Sequence, residues 1–181
     1  MFKSRVSVFS GAARNGGELV RTSIRVLLFT LVLSAVLVAP AFAKPSAVFH
    51  AHLAGDNEVP PVDTNAQGQA IFMLSEDGMS LKYKLIGANI ENVLQAHIHL
   101  AAEGVNGPIV VWLYPSAPPP ILIPGRFDGV LMKGTITDAN LVGPLAGHPL
   151  SDLVNAMMAG NTYVNVHTSA NPGGHIRGQI S

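Results

Sequence analysis

Apolar and polar residues alternate with a period of two through most strand-length segments of this chain, and that period restricts it to sheet. From Thr162 to His167, Thr162, Val164 and Val166 share one face while Tyr163, Asn165 and His167 share the other. After an Asn171-Pro172-Gly173-Gly174 turn, Ile176 and Ile180 oppose His175, Arg177 and Gln179. The pair reads as a hairpin with an apolar face for a core and a polar face that collects histidines, an arginine and amides.

The same plan runs upstream. Ala47 to Ala54 sets Phe49, Ala51 and Leu53 against His50 and His52, and Val93 to Leu100 sets Leu94, Ala96, Ile98 and Leu100 against Gln95, His97 and His99. Gln69 to Leu74 and Ser80 to Leu85, joined by a Glu76-Asp77-Gly78 turn, predict a hairpin. Ile109 to Leu113 reads as a short buried strand, Pro115 to Pro124 as an extended loop with five prolines in ten residues, and Phe127 to Ile136 as a strand open to bulges at Gly129 or Gly134. Thr137 to Leu141 predicts one helical turn. The one helix expected is capped by Ser151, carries Asp152 at its positive end, packs through Leu153, Val154, Met157 and Met158, and stops at Gly160. Short strands at close spacing predict an all-β, antiparallel, Greek-key-like sandwich or flattened barrel of roughly seven to eight strands with one short helix.

Residues 1–43 do not fit that pattern. Lys3, Arg5, Arg14, Arg21 and Arg25 precede an apolar run from Val26 to Val38, which leads to Ala41-Phe42-Ala43. A basic leader, an apolar run of about a dozen residues and an Ala-x-Ala ending predict a secretory signal peptide cleaved after Ala43. The run is short of the roughly 20 residues a membrane helix needs, so the membrane would be touched only if this segment stayed uncleaved. The expected mature chain, residues 44–181, forms a single domain placed in the periplasm or secreted. It holds six Lys and Arg against ten Asp and Glu, a formal charge of −4. That balance argues against a nucleic-acid partner, which calls for a basic stripe. Without cysteine, an exported domain relies on packing rather than disulfides, with metal as a supplement.

Five segments carry a family resemblance: Gly55-Asp56-Asn57-Glu58-Val59-Pro60-Pro61, Ala96-His97-Ile98-His99, Gly104-Val105-Asn106-Gly107-Pro108, Gly143-Pro144-Leu145-Ala146-Gly147, and Ala159 to Gln179. In this order they resemble the chordin-type (CHRD) domain over about Phe49 to Ile180. The resemblance implies an all-β domain outside the cytoplasm, of the kind that occurs singly in exported microbial proteins and in repeats in the animal protein chordin. It brings no reaction with it. Two departures show: His175 stands where the family tends to have Glu, and His50 and His52 lie outside its pattern.

Two histidines at i and i+2 on a strand project from one face with side chains about 7 Å apart, a separation one metal ion can bridge. His97 and His99 have that spacing, and His167 and His175 occupy the equivalent face of the last hairpin. Neutral imidazole suits zinc or copper, and three or four such ligands complete a site. The competing reading makes these rings polar residues on a wet face, or hydrogen-bond partners of a covering loop. A His-x-His strand in an exported β-domain also faintly resembles copper/zinc superoxide dismutase, but that enzyme's bridging-ligand loop is not found here and its disulfide is impossible. Glu58 and Arg177 are expected to pair and pin a loop to the sheet, with Asn165 satisfying a loop backbone. No serine or cysteine sits in a nucleophile elbow, and no catalytic constellation is evident. Three readings remain open: a non-catalytic β-domain that binds an unidentified protein or surface ligand; a zinc- or copper-binding domain on His97, His99 and His167, with His175 or Glu58 as a further ligand; and a metalloenzyme with superoxide-dismutase-like chemistry.

Overall fold

The structure, a computed structural model, describes residues 47–181; the expected signal peptide, its cleavage site and Lys44 lie outside them. The strands are β1 (Val48–Ala54), β2 (Gln67–Leu74), β3 (Leu81–Leu100), β4 (Ile109–Tyr114), β5 (Ile123–Ile136), β6 (Thr162–Thr168) and β7 (Ile176–Gln179). All pairings are antiparallel. They follow the order β2-β1-β7-β6-β3-β4, and β2 also pairs with β3. The circuit β1-β2-β3-β6-β7 therefore closes on itself, and the sandwich-or-barrel alternative resolves to a barrel. Its seam is narrow: β1 meets β7 through Ala54 and Arg177, reinforced by His50 and Ser181 exchanging backbone hydrogen bonds at 2.9 and 3.0 Å.

Where two strands were expected, Ser80–Leu85 and Val93–Leu100, the chain runs as the single strand β3. Its first half pairs with β2, its second half with β4 and β6, and β5 runs along it from Leu81 to Val93. The bend between the halves falls at Asn89 and Asn92, both at positive φ (55° and 52°), where a short amide side chain tolerates a left-handed backbone. Side chains then tie the bend down: Asn89 N–H donates to Asp128 Oδ1 at 2.8 Å, and Asn92 Oδ1 accepts from Gly125 N–H at 2.9 Å. A register shift beside Val93 moves the alternation by one, so Val93 rather than Leu94 is fully buried. Strand β5 also begins earlier than its sequence implied, because Ile123 pairs with Val93 inside the stretch read as a proline loop.

The inward positions of the alternation form one core, with Leu53, Phe72, Leu81, Leu85, Ile98, Val164 and Ile176 all fully buried. Each such side chain contributes about 1.5–3 kcal/mol by leaving water. Helix α1 (Leu150–Met158) adds Leu150, Leu153, Val154 and Met157. Two expectations for it fail. Pro149, not Ser151, stands at the N-cap, its carbonyl accepting Asp152 N–H at 3.0 Å, because proline's fixed φ suits a helix entrance. Met158 points outward at 63% exposure, since it lies about a quarter turn off the buried stripe. Among the described residues no helix is long and apolar enough to cross a membrane.

Candidate metal centre

Cross-strand register builds the site. On β3 and β6, Gln95 pairs with His167, His97 with Asn165 and His99 with Tyr163; on β6 and β7, Asn165 pairs with Arg177 and Tyr163 with Gln179. Directly paired residues project to the same side, so these side chains share the barrel's outer face. An outer face is ordinarily wet, yet His97, His99 and His167 are only 0%, 9% and 6% exposed. The wet-face expectation is overturned because loops roof this side. Arg177 Nη1 donates to Asn106 Oδ1 at 3.1 Å and Nη2 to the Val105 carbonyl at 2.9 Å, which fastens one loop. Asn106 Nδ2 in turn donates to the Val59 carbonyl at 2.8 Å, joining that loop to a second.

Beneath the roof three imidazoles converge, each offering one nitrogen, and the three nitrogens lie within 4.8 Å of one another. His97 Nδ1 and His167 Nε2 are 3.1 Å apart. Two ligand nitrogens on a tetrahedral zinc with bonds of about 2.0–2.1 Å stand roughly 3.3 Å apart, so this pair already spans one edge of such a polyhedron. His99 Nδ1–H donates to the Gly107 carbonyl and His167 Nδ1–H to the Pro172 carbonyl, each at 2.9 Å. Those bonds fix both tautomers and leave each Nε2 with its lone pair directed inward, as metal-bound histidines require. His97 Nε2 and His99 Nε2 are buried with no hydrogen-bond partner among the described residues. A buried polar atom left unpaired costs about 1–3 kcal/mol, and an ion coordinated by His99 Nε2 would remove that cost there.

Aromatic rings wall the cluster. The Trp112 centroid lies 4.3 Å from that of His97, edge to face. Tyr163 stacks on His99 at 4.8 Å with planes 9° apart, and the Arg177 guanidinium carbon sits 3.5 Å from the Tyr163 centroid. Burial holds His97 down to about 3, helped by His167 and His99. Burial likewise brings His99 to about 4, opposed by its Gly107 bond and aided by His167 and Arg177. His167 is lowered by burial against its Pro172 bond. All three rings are therefore neutral at neutral pH, the form that binds metal.

The fourth histidine of the expected set sits apart. His175 Nδ1 accepts from Thr168 Oγ1 at 2.9 Å and Asn171 Nδ2 at 2.8 Å, while its Nε2–H donates to Thr64 Oγ1 at 2.9 Å. Both of its nitrogens are occupied in tying loops together. Glu58 and Arg177 each hold a roof loop, though not as a forked pair. Glu58 is buried and accepts Asn165 Nδ2 at 2.8 and 3.0 Å, so Asn165 serves a carboxylate rather than a backbone. Burial pushes Glu58 up to about 7, against the Arg177 charge and the Asn165 bond. Gly174, at φ 145°, passes so near that a Cβ there would lie 2.7 Å from Glu58 Oε2. His50 and His52 are exposed on β1, and exposed His148 bonds Asp152 at 2.8 Å. Sequence reasoning missed Trp112 and Tyr163. Tyr163 shares the alternating face with His167 and was readable there, whereas Trp112 lay inside an unbroken apolar run.

No curated protein and no solved structure shows a significant match to the chain. Residues 49–180, which contain the histidine cluster and every loop that roofs it, match the model of the CHRD domain. This chain belongs to the CHRD domain family.

Proposed function

We propose that this CHRD domain is a metal-binding module that works outside the cytoplasm, holding one zinc or copper ion on His97, His99 and His167. The observation that carries the reading is the convergence of three neutral, roofed imidazoles whose nitrogens lie within 4.8 Å of one another. Two of them have Nδ1–H anchored to carbonyls. Support for export comes from the basic, apolar, Ala-x-Ala order of residues 1–43. Elemental analysis of untagged protein tests the reading: close to one equivalent of zinc or copper is expected, lost in His97→Ala. Substoichiometric metal, with His97→Ala melting unchanged, would end it.

A metal-independent binding role is favoured by a separate feature. On the outer face of β2, β3 and β5, Lys84 is paired with Lys133 and Ile71, and Lys82 with Met73 and Thr135. Like charges directly opposite are unfavourable, and none of the three lysines enters an ion pair among the described residues. Such a face suits an anionic surface. Loss of binding to anionic vesicles in a triple Lys→Gln variant that keeps its metal would separate the two roles.

A further inference from the structure

The charge balance around the three imidazoles says which ion they hold. The ligand set contains no carboxylate. The groups that orient two of the rings are neutral backbone carbonyls, not the carboxylates that often stand behind zinc-bound histidines. The Glu58 carboxylate is taken by Asn165. The one permanent charge in the immediate stack is positive. Arg177, 2% exposed, lies over Tyr163, which in turn lies on His99.

A buried ion in such a setting is stabilised by lone pairs and opposed by desolvation. The Born cost grows with the square of charge, so a dication loses about four times the hydration energy of a monocation of equal size. Here no anionic ligand offsets that loss, and Arg177 adds repulsion that doubles with the ion's charge. Three neutral imidazoles are enough for a closed-shell monovalent copper ion, which accepts three-coordination and borderline nitrogen donors. From this we infer that the centre selects Cu(I) over Zn(II) and Cu(II), because its three ligands, His97, His99 and His167, bring no negative charge and the buried Arg177 cation is stacked behind His99 through Tyr163. The inference rests on the metal-binding reading above and adds the oxidation state of the ion.

Anaerobic titration of the purified protein against Cu(I) held by bicinchoninate, beside titrations with Zn(II) and Cu(II), tests it. One equivalent of Cu(I) is expected, bound at least roughly a hundredfold more tightly than Zn(II), given one charge acting over a short path in a protein interior. Zn(II) or Cu(II) binding as tightly as Cu(I) overturns the choice of ion and leaves the metal reading intact. No ion retained at one equivalent overturns both. Two variants isolate the cause: His97→Asp places an anion in the ligand set, and Arg177→Gln removes the cation. Either should shift the Zn(II)-to-Cu(I) affinity ratio towards zinc by about tenfold or more. A ratio unmoved in the variant that folds rules out charge as the selecting principle.

Discussion

His97 Nδ1 and His167 Nε2 lie 3.1 Å apart although 70 residues separate them in the chain. In the metal-free domain this is a hydrogen bond, with the His97 Nδ1–H donating. Metal binding at His97 Nδ1 would move that proton to Nε2, so the ring stays a neutral ligand.

Metal should therefore stabilise the fold through these rings. At free metal a hundred times Kd the expected gain is about 2.7 kcal/mol, visible as a raised melting temperature. His167→Ala and His97→Ala should melt at the same temperature with and without metal. A metal-dependent rise that survives in either variant would place the ion elsewhere.

Trp112 is the sole tryptophan and its ring lies 4.3 Å from His97. Copper at the cluster should quench its fluorescence in step with one equivalent added. Trp112→Phe should abolish the signal and leave the bound metal, measured by elemental analysis, unchanged. Full emission at saturating copper would contradict the assigned position.

Acid should unfold the metal-free domain earlier than its carboxylates alone imply. His97 and His99 titrate at about 3 and about 4 when folded, below the 6.5 of the unfolded chain. Across that window the unfolded state binds more protons, so these rings' contribution is complete above pH 6.5 and is lost as pH falls. Glu58 has the opposite sign: raised from 4.5 to about 7, its contribution is complete below pH 4.5 and is lost as pH rises through 7. Urea midpoints should climb from pH 4.5 to 6.5, and more steeply in Glu58→Gln. A flat profile in both proteins would show that the rings are not desolvated.

The two glycines of the last turn should respond differently. Gly174→Ala puts a side chain at φ 145° and against Glu58 and Asn165, so a loss of about 1–3 kcal/mol or more is expected. Gly173→Ala meets no atom within 4 Å and should stay within about 0.5 kcal/mol. Denaturant midpoints of the two variants check this; equal losses would mean that the Glu58–Asn165 contact does not hold the loop.

The alternation of apolar residues was enough to find most strands, the core and the polar face that carries His97, His99 and His167. Period-two patterning is local, and every inward position is enforced by the same hydrophobic cost. Local pattern fails where the backbone changes hand. At Asn89 and Asn92 a continuous strand bends through left-handed backbone, which hydropathy does not register, so alternation predicts two strands where β3 is one. Motif order alone pointed to the CHRD family, and residues 49–180 bear that out.

What the sequence by itself determined is which side of the sheet each imidazole occupies; what only the tertiary structure decided is that this side is dry, and which rings meet there. Spacing within β3 placed His97 beside His99, but His167 joins them through the β3–β6 register, and His175 is diverted to Thr64, Thr168 and Asn171. The roof depends on Arg177 reaching Asn106 and Val105 and on Asn165 reaching Glu58, contacts between residues more than 70 positions apart. Such contacts follow from chain closure around the barrel, and no local period records them.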